Sequence, residues 1–205
     1  MFSPAAERNK VPILAAIATY LATARNVLEI GAGTGQHAVY CAEHLPHVAW
    51  WPSDRSQVAP QLAHALRPCS LPNLRGVLEL DVLDGTWPQE RVDAVFSANT
   101  LHCMSWEAVC ALLKGSARVL QPGGVLLIYG PFNDRGRFTS AGNQALDAWA
   151  RGLDPRFGLR DEQAVIEAAC ACGLSFIARH VLPANNLLLS WRRTPTAEVN
   201  HATPE

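Results

Sequence analysis

The sequence predicts an α/β fold in which strands alternate with helices, and three patterns carry that prediction. Val27-Leu28-Glu29-Ile30 is a short apolar run, Gly31-Ala32-Gly33-Thr34-Gly35 places glycine at alternate positions, and residues 36–45 have helical spacing: strand, tight turn, helix. Further apolar runs of strand length recur down the chain with helix-length amphipathic stretches between them. The last two runs are joined by Pro183-Ala184-Asn185-Asn186, which reads as a hairpin.

With 205 residues the chain is long enough for one α/β domain with a full core, and residues 1–193 are read as that domain. The formal net charge is −1 with both signs interspersed, so no nucleic-acid or anionic-membrane surface is suggested and a small-molecule partner is expected. The six cysteines form no CxxC pair and no Cys/His ligand cluster; they read as buried, reduced thiols, with no metal site. The first residues lack a basic stretch followed by an apolar core, and no apolar run approaches a membrane span, so the expected location is cytoplasmic.

In chain order, Ser3-Pro4 reads as N-cap and first residue of a helix whose apolar side is Ile13, Leu14, Ile17 and Leu21. Its polar start, Glu7-Arg8-Asn9-Lys10, is either a solvated face or a segment folded over a ligand pocket that offers Arg8, Asn9 or Lys10 to a carboxylate. The glycine loop tolerates positive φ and lets a ligand lie against bare peptide, in front of the unpaired N–H groups of the next helix. That helix is expected to end at His44, ahead of Pro46. Residues 48–54 read as a second strand ending in Asp54, about 20 residues beyond the glycines. Asp54 is placed either to accept from both hydroxyls of a ribose or to cap the helix expected over 57–66. Leu71-Pro72-Asn73 turns, residues 74–80 read as a third strand, and Asp81-Val82 follows with an acceptor for an adenine amine and an apolar side chain for the ring.

A fourth strand over 92–97 opens into Ala98-Asn99-Thr100-Leu101-His102 at its carboxyl end, the edge where open α/β sheets bind ligands. Next come a helix over 106–120 capped by Ser105, the turn Gln121-Pro122-Gly123-Gly124, and a buried fifth strand over 125–129. A polar, glycine-hinged loop over 130–139 suits substrate contacts. Helices over 140–153 and 161–172, strands over 174–182 and 187–193, and a polar tail over 194–205 expected to be disordered complete the chain.

A glycine loop after the first strand and acids after the second and third leave two cofactor classes, a dinucleotide and S-adenosylmethionine. The dinucleotide fingerprint wants a third glycine where this chain has Gln36. The acid Glu29 directly before the loop and the closing hairpin do not follow from dinucleotide binding either.

Together, Glu29-Ile30-Gly31-Ala32-Gly33-Thr34-Gly35, Asp54, Asp81, the Gln121-Pro122-Gly123-Gly124 turn and the terminal hairpin resemble class I S-adenosylmethionine-dependent methyltransferases. More narrowly, Ser3-Pro4-Ala5-Ala6-Glu7-Arg8-Asn9-Lys10, Gly35-Gln36-His37-Ala38, Pro52-Ser53-Asp54, Tyr129-Gly130-Pro131-Phe132 and Pro183-Ala184-Asn185-Asn186-Leu187 resemble a small methyltransferase-like family long catalogued as a domain of unknown function. The resemblance runs from Ser3 to Arg193. It implies a Rossmann-like, seven-stranded, mostly parallel sheet with an antiparallel last strand and helices on both faces, and S-adenosyl-L-methionine as cofactor.

By that resemblance Gly31, Gly33 and Gly35 form the loop against the methionine portion, Asp54 takes the ribose, and Asp81 with Val82 takes the adenine. Asn99 lines the sulfonium end, Glu29 orders the loop or reaches the cofactor's amino group through water, and one of Arg8, Asn9 and Lys10 meets its carboxylate or closes the site. The implied reaction is in-line methyl transfer to a small-molecule O, N or S nucleophile, in which alignment supplies much of the acceleration. His102 is the candidate base, or else a hydrogen-bonded structural histidine. Trp106, Tyr129 and Phe132 either wall the sulfonium or pack in the core. The fourth-strand exit has no Asn/Asp-Pro-Pro-aromatic motif for methylating nucleic-acid bases, and Asn133-Asp134 alone is too little for a magnesium site. The other histidines, His37, His44, His47, His64, His180 and His201, read mostly as surface residues, and the protein as a monomer or homodimer. A non-catalytic binding protein that kept the fold, and a dinucleotide-dependent reductase, are the competing readings.

Overall fold

Strand β1 (Asn26–Ile30) lies at the middle of the sheet because both of its faces are apolar and both of its edges are paired. In the computed structural model, which describes residues 2–84 and 86–194, it is flanked by β2 (Ala49–Asp54) and β4 (Val92–Ala98), both parallel to it. Beyond β2 lies β3 (Leu78–Glu79); beyond β4 come β5 (Leu120–Asn133), β8 (Asn186–Arg193) and β7 (Leu174–Leu182), in the order β3-β2-β1-β4-β5-β8-β7. Only β8 runs antiparallel to its neighbours. The expected mostly parallel sheet with an antiparallel last strand is present. An eighth strand, β6 (Arg160–Asp161), pairs with Phe132 and Asn133 off that path.

Strand alternation divides the sheet's side chains between two cores. Leu28, Ile30, Val95, Leu126, Ile128, Leu189 and Trp191 belong to one cluster, with residues of α4 (Trp106–Val119) and α6 (Glu162–Ala171). Val27, Ala94, Phe96, Val125, Leu127, Tyr129 and Leu188 belong to the other, with residues of α1 (Pro4–Ile17) and α2 (Gln36–His44). Helices therefore cover both faces, and each large aliphatic or aromatic side chain so enclosed is worth roughly 1.5–3 kcal/mol relative to exposure. A smaller cluster joins Ala32 to Leu62 and Leu66 of α3 (Ala59–Leu66), and α5 (Ala141–Leu153) follows β5 in the chain.

Local signals end the helices where expected. Ser3, Ser105, Ser140 and Asp161 accept bonds from the first-turn amides of α1, α4, α5 and α6. Three expected elements differ. The strand over 74–80 shrinks to Leu78–Glu79, with an isolated bridge from Leu74 to Trp50. There the Asn73 amide donates to the carbonyls of Ala42, Leu45 and Val48, and Gly76 follows, so the chain is anchored to the α2–β2 connection before it can pair continuously. The Gln121-Pro122-Gly123-Gly124 turn lies inside β5, where Val92 pairs with Leu120 but Ala94 with Val125, so the extra residues bulge out. Residues 130–133, expected in a loop, extend β5 because Gly130 and Pro131 pair with Leu187 and Asn186.

Of the cysteines only Cys41 is buried, and Cys170 is exposed. All six are free thiols. The tail does not begin at Thr194, whose N–H donates to the Gly173 carbonyl; residues 195–205 lie outside the described residues. Among the described residues no helix is long and apolar enough to cross a membrane.

Candidate functional site

The carboxyl ends of β1, β2 and β4 and the segment after β3 meet around a cavity of about 370 Å³. Of the residues expected to bind a cofactor, Gly31, Asp54, Asp81, Val82 and Asn99 line it, beside Arg55, Thr100 and Cys103. Chain order alone places these residues far apart; the parallel register of β1, β2 and β4 brings them to one edge.

The glycine loop is held from behind. Gly31 and Ala32 both donate to the Ser53 carbonyl, each at 3.0 Å, and Gly33 N–H donates to Asp54 Oδ2 at 2.9 Å. All three glycines have positive φ, at 72°, 57° and 77°. Their surroundings differ. A Cβ on Gly31 would lie 2.6 Å from Thr100 Cγ2, and one on Gly35 2.6 Å from Leu66 Cδ2, so these two glycines permit close packing. A Cβ on Gly33 would meet nothing nearer than 4.0 Å, which leaves its peptide open to a ligand. Gly33 and Gly35 support the loop without lining the cavity itself.

Asp54 does not cap α3, whose N-cap is Val58 without a side-chain bond. Its Oδ1 accepts from Arg55 N–H and its Oδ2 from Gly33 N–H. Each carboxylate oxygen can accept a further bond, so capacity for a ligand hydroxyl remains. Asp81 Oδ1 similarly accepts from Leu83 N–H at 3.0 Å. Asn99 has a left-handed backbone, φ 56°, and its N–H donates to the Tyr129 carbonyl at 2.9 Å, which turns the chain away from the end of β4.

Glu29 is buried on β1, where Trp50 Nε1 donates to its Oε2 at 2.6 Å. Burial pushes its pKa up to about 7 against the opposing Trp50 bond, with a smaller push from the Asp54 charge. His102 lies in the 3₁₀ turn Leu101–Cys103; its buried side chain does not line the cavity. Burial first, then the Arg160 charge, brings its pKa down to about 4 and keeps the ring neutral.

Arg8, Asn9 and Lys10 diverge. Arg8 is exposed, Lys10 pairs with Glu7, and Asn9 Oδ1 bonds His37 Nε2 at 2.7 Å. None of the three lines the cavity. Helix α1 is nevertheless tied to the residues after the loop: Ser3 N–H donates to Gln36 Oε1 at 2.6 Å, and Gln36 Nε2 to Glu7 Oε2 at 2.9 Å. His37, expected at the surface, is buried by this packing. His44, His47 and His64 are exposed, His180 is half-buried against Tyr20, and His201 lies outside the described residues. Tyr129 and Phe132 are core residues, whereas Trp106 is partly exposed.

Sequence reasoning missed the opposite wall, Asp154, Arg156 and Phe157, which read only as a spacer between helices. Arg156 pairs with Asp154 at 2.7 Å, and that guanidinium holds the Asp154 carboxyl down to about 2. The segment is stitched to the turn after β4: Gly158 N–H donates to the His102 carbonyl, and the Arg160 guanidinium to those of Leu101 and Met104. Glycine after Asp-Pro-Arg-Phe was the sole local sign of a fixed turn there.

A family model described as Protein of unknown function (DUF938) matches residues 1–193. The chain belongs to the DUF938 family. Solved structures similar to this DUF938 protein include an O-methyltransferase family protein from Burkholderia thailandensis, at TM-score 0.81 and 18% identity, covering 91% of this chain and 57% of that one. Human N-acetylserotonin methyltransferase in complex with SAM aligns at TM-score 0.75 and 20% identity, over 91% of this chain and 52% of its own. PigF with SAH aligns at TM-score 0.76 and 18% identity, over 91% and 56%. The DUF938 chain thus spans little more than half the length of these proteins, with which it shares a Rossmann-like methyltransferase fold.

Proposed function

We propose that this DUF938 protein binds S-adenosylmethionine in the cavity at the carboxyl edge of its sheet and transfers the methyl group to a small-molecule acceptor. The observation that carries this reading is the convergence of Gly31, Asp54, Asp81, Val82 and Asn99 on one cavity. The residues fit the group: the open peptide at Gly33 provides a cradle that any Cβ would begin to fill, and Asp54 and Asp81 keep acceptor capacity. In this reading Asp54 accepts from the ribose hydroxyls, Asp81 from the adenine amine, Val82 packs the ring, and Asn99 faces the sulfonium. The bound sulfonium supplies an activated methyl and a neutral leaving group.

What the protein contributes is alignment and exclusion of water. The strap over 154–158 and the turn after β4 wall the cavity. Where the acceptor carries a proton, His102 is the proposed base, its neutral ring able to receive one. The neighbouring folds' printed names, O-methyltransferase and N-acetylserotonin methyltransferase, support a small-molecule acceptor. Cytoplasmic location, monomer or homodimer state, and independence of metal and nucleic acid belong to the same proposal. Gln36 counts against a dinucleotide, because its side chain is engaged by Ser3 and Glu7 where a dinucleotide fingerprint has glycine.

Calorimetric titration with S-adenosylmethionine and S-adenosylhomocysteine, beside reduced nicotinamide dinucleotide, tests this directly. Binding of the two adenosyl compounds alone is expected. Binding of the dinucleotide alone, or of none, overturns the reading.

A further inference from the structure

Tyr129, Asn9 and His37 form a buried polar chain that the functions above do not use. It lies at the carboxyl end of β5, on the face shared by α1 and α2, next to the cavity rim: Tyr129 pairs with Ala98, and its carbonyl accepts from the N–H of the lining residue Asn99. The chain has a direction. His37 is neutral, since burial alone brings its pKa down to about 4, and its Nε2 therefore donates to Asn9 Oδ1. The Asn9 amide hydrogen-bonds the Tyr129 hydroxyl and lowers the phenol's pKa, as a donated bond does. The phenol stays protonated because burial raises its pKa more than that bond lowers it. Tyr129 Oη thus accepts from Asn9 and keeps its own hydrogen, for which no acceptor is found among the described residues. The residue is only 2% exposed, so an unused donor there is costly unless a ligand oxygen meets it.

We infer that the Tyr129 hydroxyl, held by Asn9 and His37, is the donor for the carboxylate at the amino-acid end of the adenosyl cofactor. This rests on the proposed function and names a contact that the motif residues do not supply. Lys10 is engaged by Glu7 and lies 5.1 Å from the Tyr40 ring, and Arg8 is exposed, so neither adjacent cation is already committed to that end. A buried neutral donor, oriented in advance and shielded from water, makes a stronger hydrogen bond to a carboxylate than a solvated one does. The chain also explains why α1 is joined to the residues just after the glycine loop: Asn9 reaches both His37 of α2 and the end of β5.

The test uses two ligands that differ only at this end: S-adenosylhomocysteine, and 5′-methylthioadenosine, which lacks the amino and carboxyl groups. Wild-type protein is expected to bind the first more tightly. Tyr129→Phe, which keeps the ring in the core, is expected to weaken S-adenosylhomocysteine by roughly tenfold or more while leaving 5′-methylthioadenosine within about twofold. Unchanged binding of S-adenosylhomocysteine overturns the inference. So does equal weakening of both ligands, which would make Tyr129 a structural residue, and so does equal wild-type affinity for the two. If the wild-type protein binds neither, the proposed function has failed and this contact falls with it.

Discussion

Glu29 ends β1 with its carboxyl buried against Trp50, and its pKa of about 7 stands well above the ordinary 4.5. Between those values the folded chain keeps a proton that the unfolded chain has lost. Stability from this group is therefore complete below about pH 4.5 and is lost as pH rises through 7. Glu29→Gln keeps an acceptor for Trp50 and removes the ionisation. Its stability relative to wild type is expected to rise by up to about 3 kcal/mol between about pH 5 and pH 8 in denaturant titrations; a pH-independent difference would contradict the buried-acid account. In the loop, Asp54→Ala is expected to weaken S-adenosylhomocysteine binding by about 1–3 kcal/mol, and Gly33→Trp to abolish it by filling the open side of the loop. Calorimetry reads both. These loop residues were legible in the sequence because φ preference and strand-end position are local. The partner of each side chain was not: Asp54 closes onto Gly33, 21 residues away, and His37 is buried by Asn9, 28 residues away.

At the scale of elements, helix limits were readable because caps act within one turn: Ser3, Ser105, Ser140 and Asp161 each bond an amide two or three residues on. Asp161→Ala is expected to cost about 1 kcal/mol in chemical denaturation. Sheet elements were less legible, since β3, the bulge in β5 and the two-residue β6 exist through pairing with distant strands. Helix α1 depends on both kinds of signal. Its start is written in Ser3-Pro4, but its attachment rests on Gln36, which accepts from Ser3 and donates to Glu7. Gln36→Ala is expected to speed amide exchange over the first turns of α1 and to leave the exchange of β1 and β4 unchanged. Uniform loss of protection would mean that this link supports the whole fold.

Across the whole molecule, two buried histidines oppose Glu29. His37 and His102 both fall to about 4 from the usual 6.5, so their contribution is complete above about pH 6.5 and is lost as pH falls toward 4. Between about pH 4.5 and 6.5 two groups favour higher pH and one favours lower. The melting temperature is therefore expected to climb over that interval and level off near neutrality, and a maximum near pH 5 would refute the assignment. The sequence by itself determined the succession of strands and helices, the glycine loop and the acids at strand ends, because periodicity, capping and backbone freedom are properties of chain neighbours. Only the tertiary structure decided that the strap over 154–158 closes the cavity, that His102 is buried outside its lining, and that Asn9, His37 and Tyr129 meet. Those outcomes depend on which surfaces must share a core once the sheet order is set, and residues far apart in the chain carry no local sign of it.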